Sequence, residues 1–274
     1  MSDLSITAKY TSATWAWGKL PNADLLLTPD ADRVFRIVNG ALGLTRPFTG
    51  APELRVSLLE RHRILDELIL ASGCTDVLEL AAGLSRRGIT MTEDPSIRYV
   101  EIDLPHVVEA KRAILETTER GRAALARSNF KIESGDVTTA RLDLFFGDSS
   151  SRLFIVAEGL LMYLDSTAQN KLFHAVSARL AKAGGSFAFD LVPTSEQKKP
   201  GVVGKALGRA MKLFTRGGTF VRDDRSRDDI RRELLAHGFD SVDLIEPAQA
   251  PDRPADASSA RIEQLVFYCQ RKPV

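Results

Sequence analysis

The stretch "VLELAAGLSRRG", Val77–Gly88, decides how this chain is read. An apolar run with a β-branched start enters a glycine turn and then a helical pattern, the layout by which parallel α/β sheets meet a ligand. A dinucleotide motif would place three glycines here, so that bare backbone amides approach a pyrophosphate. Only Gly83 stands in the turn itself, and the strand before it carries an acid, Glu79. The stretch keeps the turn and drops the phosphate cradle.

Outward from it, short apolar runs alternate with helical patterns, which predicts an α/β fold with a helix-covered parallel sheet. The strands read as "TDVLEL", "IRYVEID" (Ile97–Asp103), "NFKIESGD" (Asn129–Asp136), "RLFIVAEG" (Arg152–Gly159) and "GSFAFDLV" (Gly185–Val192). Ser166 to Gln169 matches a capping box ahead of "LFHAVSARLAKAGG". "SRDD" from Ser226 caps a further helix, which Gly238 stops. "FDSVDLIEP" and "IEQLVFYCQ" follow, joined by a loop too rich in breakers for a crossover helix, so they pair as an antiparallel hairpin. Upstream, "DADRVFRIVN" and "ELRVSLLERHRILDELILASG" are helical, and no linker parts them from the first strand. The chain therefore reads as one domain over 1–274: a helical cap over 1–73, a ligand-binding core over 74–192, a lid-like insertion over 193–222, and a closing helix and hairpin over 223–274.

Composition excludes several classes. With 37 Lys and Arg against 36 Asp and Glu, the net charge of +1 advertises neither a nucleic-acid surface nor an anionic partner. Cys74 and Cys269 lie far apart without metal-ligand spacing, so no metal site or disulfide framework is expected and a reduced, cytoplasmic setting fits. No apolar stretch approaches the roughly 20 residues needed to cross a bilayer.

In an open parallel sheet the ligand sits outside the carboxyl ends of the strands. Those ends carry Glu79 and Gly83, then Glu101 and Asp103, then Gly135 and Asp136, then Glu158 and Gly159. Such a ring repels a pyrophosphate and attracts a ligand with hydroxyls, an amine and a cationic centre. S-adenosylmethionine has all three and no phosphate. Asp103 follows Gly83 by about 20 residues, where an acid binds ribose hydroxyls. Asp136 is placed for an adenine amino group, while Glu79 and Glu158 lie where an ammonium is held. A nicotinamide-dependent oxidoreductase is the alternative on such a sheet, disfavoured by "AAGLS" and by the acids. A non-catalytic protein that binds S-adenosylmethionine is the other.

"VLELAAGLSRRG", "YVEIDLP", "SGDV" and "VAEGLLMYL", with "SITAKY" and "ERHRILDELI" upstream, resemble the leucine carboxyl methyltransferase family, particularly its bacterial O-methyltransferases of polyketide-type metabolism. The likeness runs over most of residues 5 to 192. It implies a class I methyltransferase sheet of seven strands with an antiparallel last strand, S-adenosylmethionine as cofactor, and a small-molecule acceptor methylated on a hydroxyl or carboxyl. It further implies that Gly83 lies beneath the methionine part, Asp103 holds the ribose, Asp136 and Val137 meet the adenine, and Glu158 lies close to the methionine amine. Lys9 and Arg61 fall where the family holds the cofactor carboxylate, and Tyr163 where it lines the acceptor side. A carboxyl methyltransferase acting on a protein C-terminus, as in the eukaryotic branch, ranks below a small-molecule enzyme. The tail Ser85 to Arg87 departs from the family pattern. His106 is read as flanking a helix and His62 as a partly exposed helical histidine. Between Pro193 and Arg222, Val203, Leu207, Ala210, Met211 and Phe214 form an apolar face and Lys205, Arg209, Lys212 and Arg216 a basic stripe, as a lid over the acceptor would carry.

Overall fold

A computed structural model of the chain describes residues 4–49, 53–147, 151–191, 221, 223–245 and 265–274, the side chains of 45–49 excepted. The insertion read as a lid therefore lies outside the described residues, apart from Val221. Three helices come first: α1 (Ile6–Trp17), α2 (Pro29–Thr49) and α3 (Leu54–Ser72). Ser5 caps α1 by accepting from the Ala8 amide, and Gly73, at φ +66°, ends α3 in the left-handed conformation that glycine adopts at least cost.

The sheet begins with β1 (Asp76–Leu80), followed by α4 (Arg87–Met91), β2 (Arg98–Asp103), α5 (Pro105–Glu116), α6 (Glu119–Leu125) and β3 (Phe130–Ser134). Then come β4 (Leu153–Ala157), α7 (Ser166–Leu180), β5 (Gly185–Asp190), α8 (Arg227–Ala236), β6 (Ser241–Ile245) and β7 (Val266–Arg271). Strand order is β3-β2-β1-β4-β5-β7-β6. β1 to β5 are parallel, and β7 runs antiparallel to both β5 and β6, as the hairpin reading expects. The chain grows outward from β1 to β3, then returns to β1's other side with β4. The crevice at which a ligand is expected therefore opens between the ends of β1 and β4.

Both faces of the sheet are covered, so its central strands β1, β4 and β5 are buried throughout and largely apolar. On one side Leu78, Ile155 and Phe187 pack with Phe173 and Leu180 of α7 and Ile230 and Leu234 of α8. On the other Val77, Tyr99 and Phe154 meet Ile64, Leu65 and Ile69 of α3 and Val108 of α5. Tyr10, Trp15, Phe35, Leu58 and Leu59 form a third cluster that seats α1 and α2 on α3. One local expectation needs correction. The cap of α7 is Asp165, which accepts from the Ala168 amide at 2.8 Å. Gln169 is buried instead, and its amide donates to the carbonyls of Leu161 and Leu164, both at 3.0 Å, because two carbonyls of a buried turn need a donor. Ser226 and Asp229 do form the expected capping box on α8.

Candidate active site

After β1 the chain turns through Ala81 and Gly83, both at φ +54°. A Cβ on Gly83 would meet nothing within 4 Å, so the turn faces open space. The Gly83 amide donates to Asp103 Oδ2 at 2.6 Å, and the Leu104 amide to Oδ1 at 2.7 Å. Two amides thus pin Asp103 at the end of β2, while each oxygen keeps a lone pair for a further donor. Burial pushes its carboxyl upward against the pull of those amides. Asp136, beyond β3, is exposed and accepts from the Thr138 amide at 2.9 Å and hydroxyl at 2.7 Å, bonds that hold its pKa below the usual range. Val137 beside it is half-buried against the core.

Glu158, just past β4, is the hub of a buried charge cluster. It accepts from Arg61 Nε at 2.9 Å and from Arg87 Nη2 at 2.7 Å, with His62 Nδ1 also at 2.7 Å. Its carboxyl suffers from burial, but His62, Arg61 and Arg87 together hold it well below the usual range. Arg87, wholly buried in the first turn of α4, also donates to Asp66 at 2.6 Å and to Glu79. The second oxygen of Glu79 accepts from Tyr99 Oη at 2.8 Å. Arg61 reaches Asp190, at the end of β5, through Nη1 at 2.8 Å. Lys111 of α5, also buried, donates to Glu101 at 2.5 Å and to the Ser85 carbonyl at 2.6 Å, which ties the glycine turn to α5.

His62 is fully buried, stacked on Trp15 with ring centroids 4.0 Å apart. Burial and the Arg87 charge drive its pKa down to about 3 against the pull of Glu158, so the ring is neutral at neutral pH. Nε2 has no partner. Nδ1 lies between an acceptor and a donor, Glu158 Oε2 at 2.7 Å and Arg87 Nη2 at 2.9 Å, so it donates to Glu158 when protonated and accepts from Arg87 when bare.

The structure brings Arg61, Glu79 and Glu158 into one cluster, and Gly83 and Asp103 into direct contact. Lys9 stands apart: its ammonium lies 3.9 Å from Asp30 of α2, with no ion pair to the cluster among the described residues. Tyr163 ends a 3-10 turn, Leu161–Tyr163, and is half-buried; the Val221 amide donates to the neighbouring Met162 carbonyl at 2.9 Å. His106 is exposed and lies within the first turn of α5, inside the helix it was read as flanking, with Leu104 at the cap position. The reading of His62 as partly exposed is corrected, because it lies under Trp15 on the face of α3 turned to the sheet. The picture of an uncompensated acidic ring is also revised: Glu79, Glu101, Glu158 and Asp190 each meet a buried cation. Glu79, with both oxygens engaged inside the fold, supports Arg87. Sequence reasoning passed over Asp66, Lys111 and Asp190, and left Arg87 without a role in a tail that departs from the family pattern. Asp190 alone had a usable signal, since it closes β5 as acids close the strands before it.

The family profile of leucine carboxyl methyltransferase matches residues 21–177. The chain belongs to the leucine carboxyl methyltransferase family. A relative from Mycobacteroides abscessus, named by assignment as an S-adenosyl-L-methionine-dependent methyltransferase, is 29% identical over 219 residues, 76% of this chain and 71% of its own. One from Mycolicibacterium smegmatis with the same kind of name is 29% identical over 238 residues, 85% of this chain and 69% of its own. The magnesium protoporphyrin IX methyltransferase of Synechocystis, solved with bound SAH, shares the fold at a TM-score of 0.51, with 12% identity over 80% of this chain and 85% of that one. As a member of the family this chain is a methyltransferase, and its cofactor is S-adenosyl-L-methionine. The site fits that group. Gly83 faces open space, and Arg61 Nη2 takes no hydrogen bond among the described residues while lying 3.7 Å from where a Cβ on Gly159 would stand. A donor thus faces a surface that glycine leaves bare.

Proposed function

We propose that the chain methylates an oxygen, hydroxyl or carboxyl, of a small-molecule acceptor, working as one domain in the cytoplasm. The observation that carries the cofactor side of this reading is the pairing, across one crevice, of Asp103 pinned by the Gly83 amide with Arg61 held by Glu158. Asp103 would take the ribose hydroxyls, Asp136 and Val137 the adenine, Arg61 the carboxylate and Glu158 the amine, with Gly83 beneath the methionine chain. Glu158 Oε1 accepts from Arg61 Nε alone among the described residues, so an acceptor position remains there for an ammonium. Lys9 would join Arg61 on the carboxylate by releasing Asp30; Glu79 acts through Arg87. The cofactor supplies an activated methyl group, and the protein's share is alignment, exclusion of water and any proton transfer.

A carboxylate acceptor, with a reference pKa near 4, is already ionised, whereas a phenol near 10 benefits from a base. His62 is not that base, because its ring is sealed beneath Trp15 and its Nδ1 is engaged between Glu158 and Arg87. Tyr163 is assigned to the acceptor side. The near-neutral charge supports a small acceptor over a nucleic acid, and among the described residues no helix is long and apolar enough to cross a membrane. Calorimetry with S-adenosylhomocysteine and NAD, then a transfer assay on phenolic and carboxylic small molecules followed by mass spectrometry, tests the reading. Binding of S-adenosylhomocysteine with methylated oxygen in a product is expected; NAD binding alone would sink the cofactor assignment, and methylated nitrogen the acceptor. Tyr163→Phe should lower turnover at least several-fold and leave S-adenosylhomocysteine affinity unchanged.

A further inference from the structure

β5 lies between β4 and β7 and ends on Asp190, a carboxylate with no solvent exposure. A buried charge persists only where its oxygens are matched, and both are. Oδ2 accepts from Arg61 Nη1 at 2.8 Å, and Oδ1 accepts from the Gly159 amide at 2.5 Å. These two donors come from different elements. Arg61 belongs to α3, and Gly159 to the turn after β4, where it holds φ +69°. One side chain on a central strand therefore fixes a guanidinium and a backbone turn against each other.

The geometry of the guanidinium gives this contact its consequence. Glu158 holds Nε at 2.9 Å and Asp190 holds Nη1, so the planar fork has two anchored corners. Its third corner, Nη2, is left facing the bare surface of Gly159. We propose that Asp190 is a positioning residue of the cofactor site, holding Arg61 and Gly159 so that Nη2 meets the methionine carboxylate of S-adenosylmethionine. This rests on the assignment of Arg61 to that carboxylate made above. Charge alone argues the opposite sign, since removing the Asp190 anion leaves Arg61 more attractive to a carboxylate. An asparagine, however, turns an amide donor or a weaker acceptor toward Nη1 and frees the fork to rotate.

The test is calorimetry on the intact chain with two ligands. S-adenosylhomocysteine carries the amino-acid carboxylate; 5′-methylthioadenosine keeps the adenine and ribose and lacks it. Asp190→Asn should weaken S-adenosylhomocysteine about 10- to 100-fold, the range for a lost charge-assisted bond, and leave 5′-methylthioadenosine unchanged. An equal loss on both ligands would mean a purely structural role and overturn the proposal. So would unchanged or tighter S-adenosylhomocysteine binding, which would mean that charge outweighs geometry. If Asp190→Asn does not fold, Asp190→Glu, which keeps the charge and shifts the carboxylate by one methylene, is read by the same comparison. Arg61→Met, run alongside, separates the two assignments. Selective loss there with none in the Asp190 variants sinks Asp190 alone, and no loss in Arg61→Met removes the carboxylate assignment and this proposal with it.

Discussion

Ala81 holds φ +54°, a conformation that costs a residue with a Cβ roughly 1 kcal/mol or more, at the place where a nucleotide motif would have its first glycine. The turn thus keeps a glycine conformation without the glycine. Ala81→Gly should stabilise the protein by about 0.5–1 kcal/mol once the greater freedom of the unfolded chain is set against the relief. Urea denaturation checks this, and a loss of stability would mean that the methyl packs better than its backbone suffers. Arg87 presents the opposite situation, a cation wholly inside the fold between Asp66, Glu79 and Glu158. Removing it as Arg87→Met leaves buried carboxylates without their partner, for a loss of about 3–5 kcal/mol in the same assay. Gly83 and Asp103 were legible in the sequence because a turn after a strand and an acid at the next strand's end are set by local spacing. Arg87 was not, because its partners Asp66, Glu79 and Glu158 come from three separate elements that only the tertiary fold brings around it.

α3 shows the same ambiguity at the level of an element. Its apolar residues Leu58, Leu65 and Ile69 mark the inward face, and that face also carries Arg61 and His62. A run of charges between Glu60 and Glu67 reads as a water-facing stripe, whereas two turns of it supply the polar seam beneath the strand ends. His62 gives this seam a pH dependence. Its pKa falls from 6.5 in the unfolded chain to about 3 in the fold, so the unfolded state binds the proton first as pH drops. The contribution is fully present above 6.5 and is lost as pH falls toward 3, at up to ~1.4 kcal/mol per pH unit. His62→Gln removes the titrating group while keeping a side chain that can hydrogen-bond both Glu158 and Arg87. The stability difference between parent and variant should shift by about 1 kcal/mol between pH 7.5 and 5.5, against the parent at the lower pH. A difference that stays constant would show that His62 binds its proton equally in both states.

Across the whole molecule, the sheet was the most legible feature, since alternation of strands and helices constrains topology before any side chain is placed. The breaker-rich loop before "IEQLVFYCQ" even foretold the antiparallel pair, although it did not say that β7 would enter between β5 and β6. That position makes the last strand part of the core. Phe267 is fully buried and stacks on Phe189 with centroids 5.0 Å apart. Phe267→Ala should cost about 3–5 kcal/mol by thermal or urea denaturation, as a central rather than a terminal residue would; a change under about 1 kcal/mol would show β7 to be peripheral. The arrangement also bears on how the protein is made. Until residues 266–271 leave the ribosome, β5 has an open edge of unpaired amides and carbonyls, and β6 has no neighbour in the sheet. Folding of this half therefore waits until Val266–Arg271 have been made, and a nascent chain stalled or cut before Val266 is exposed to strand-to-strand aggregation.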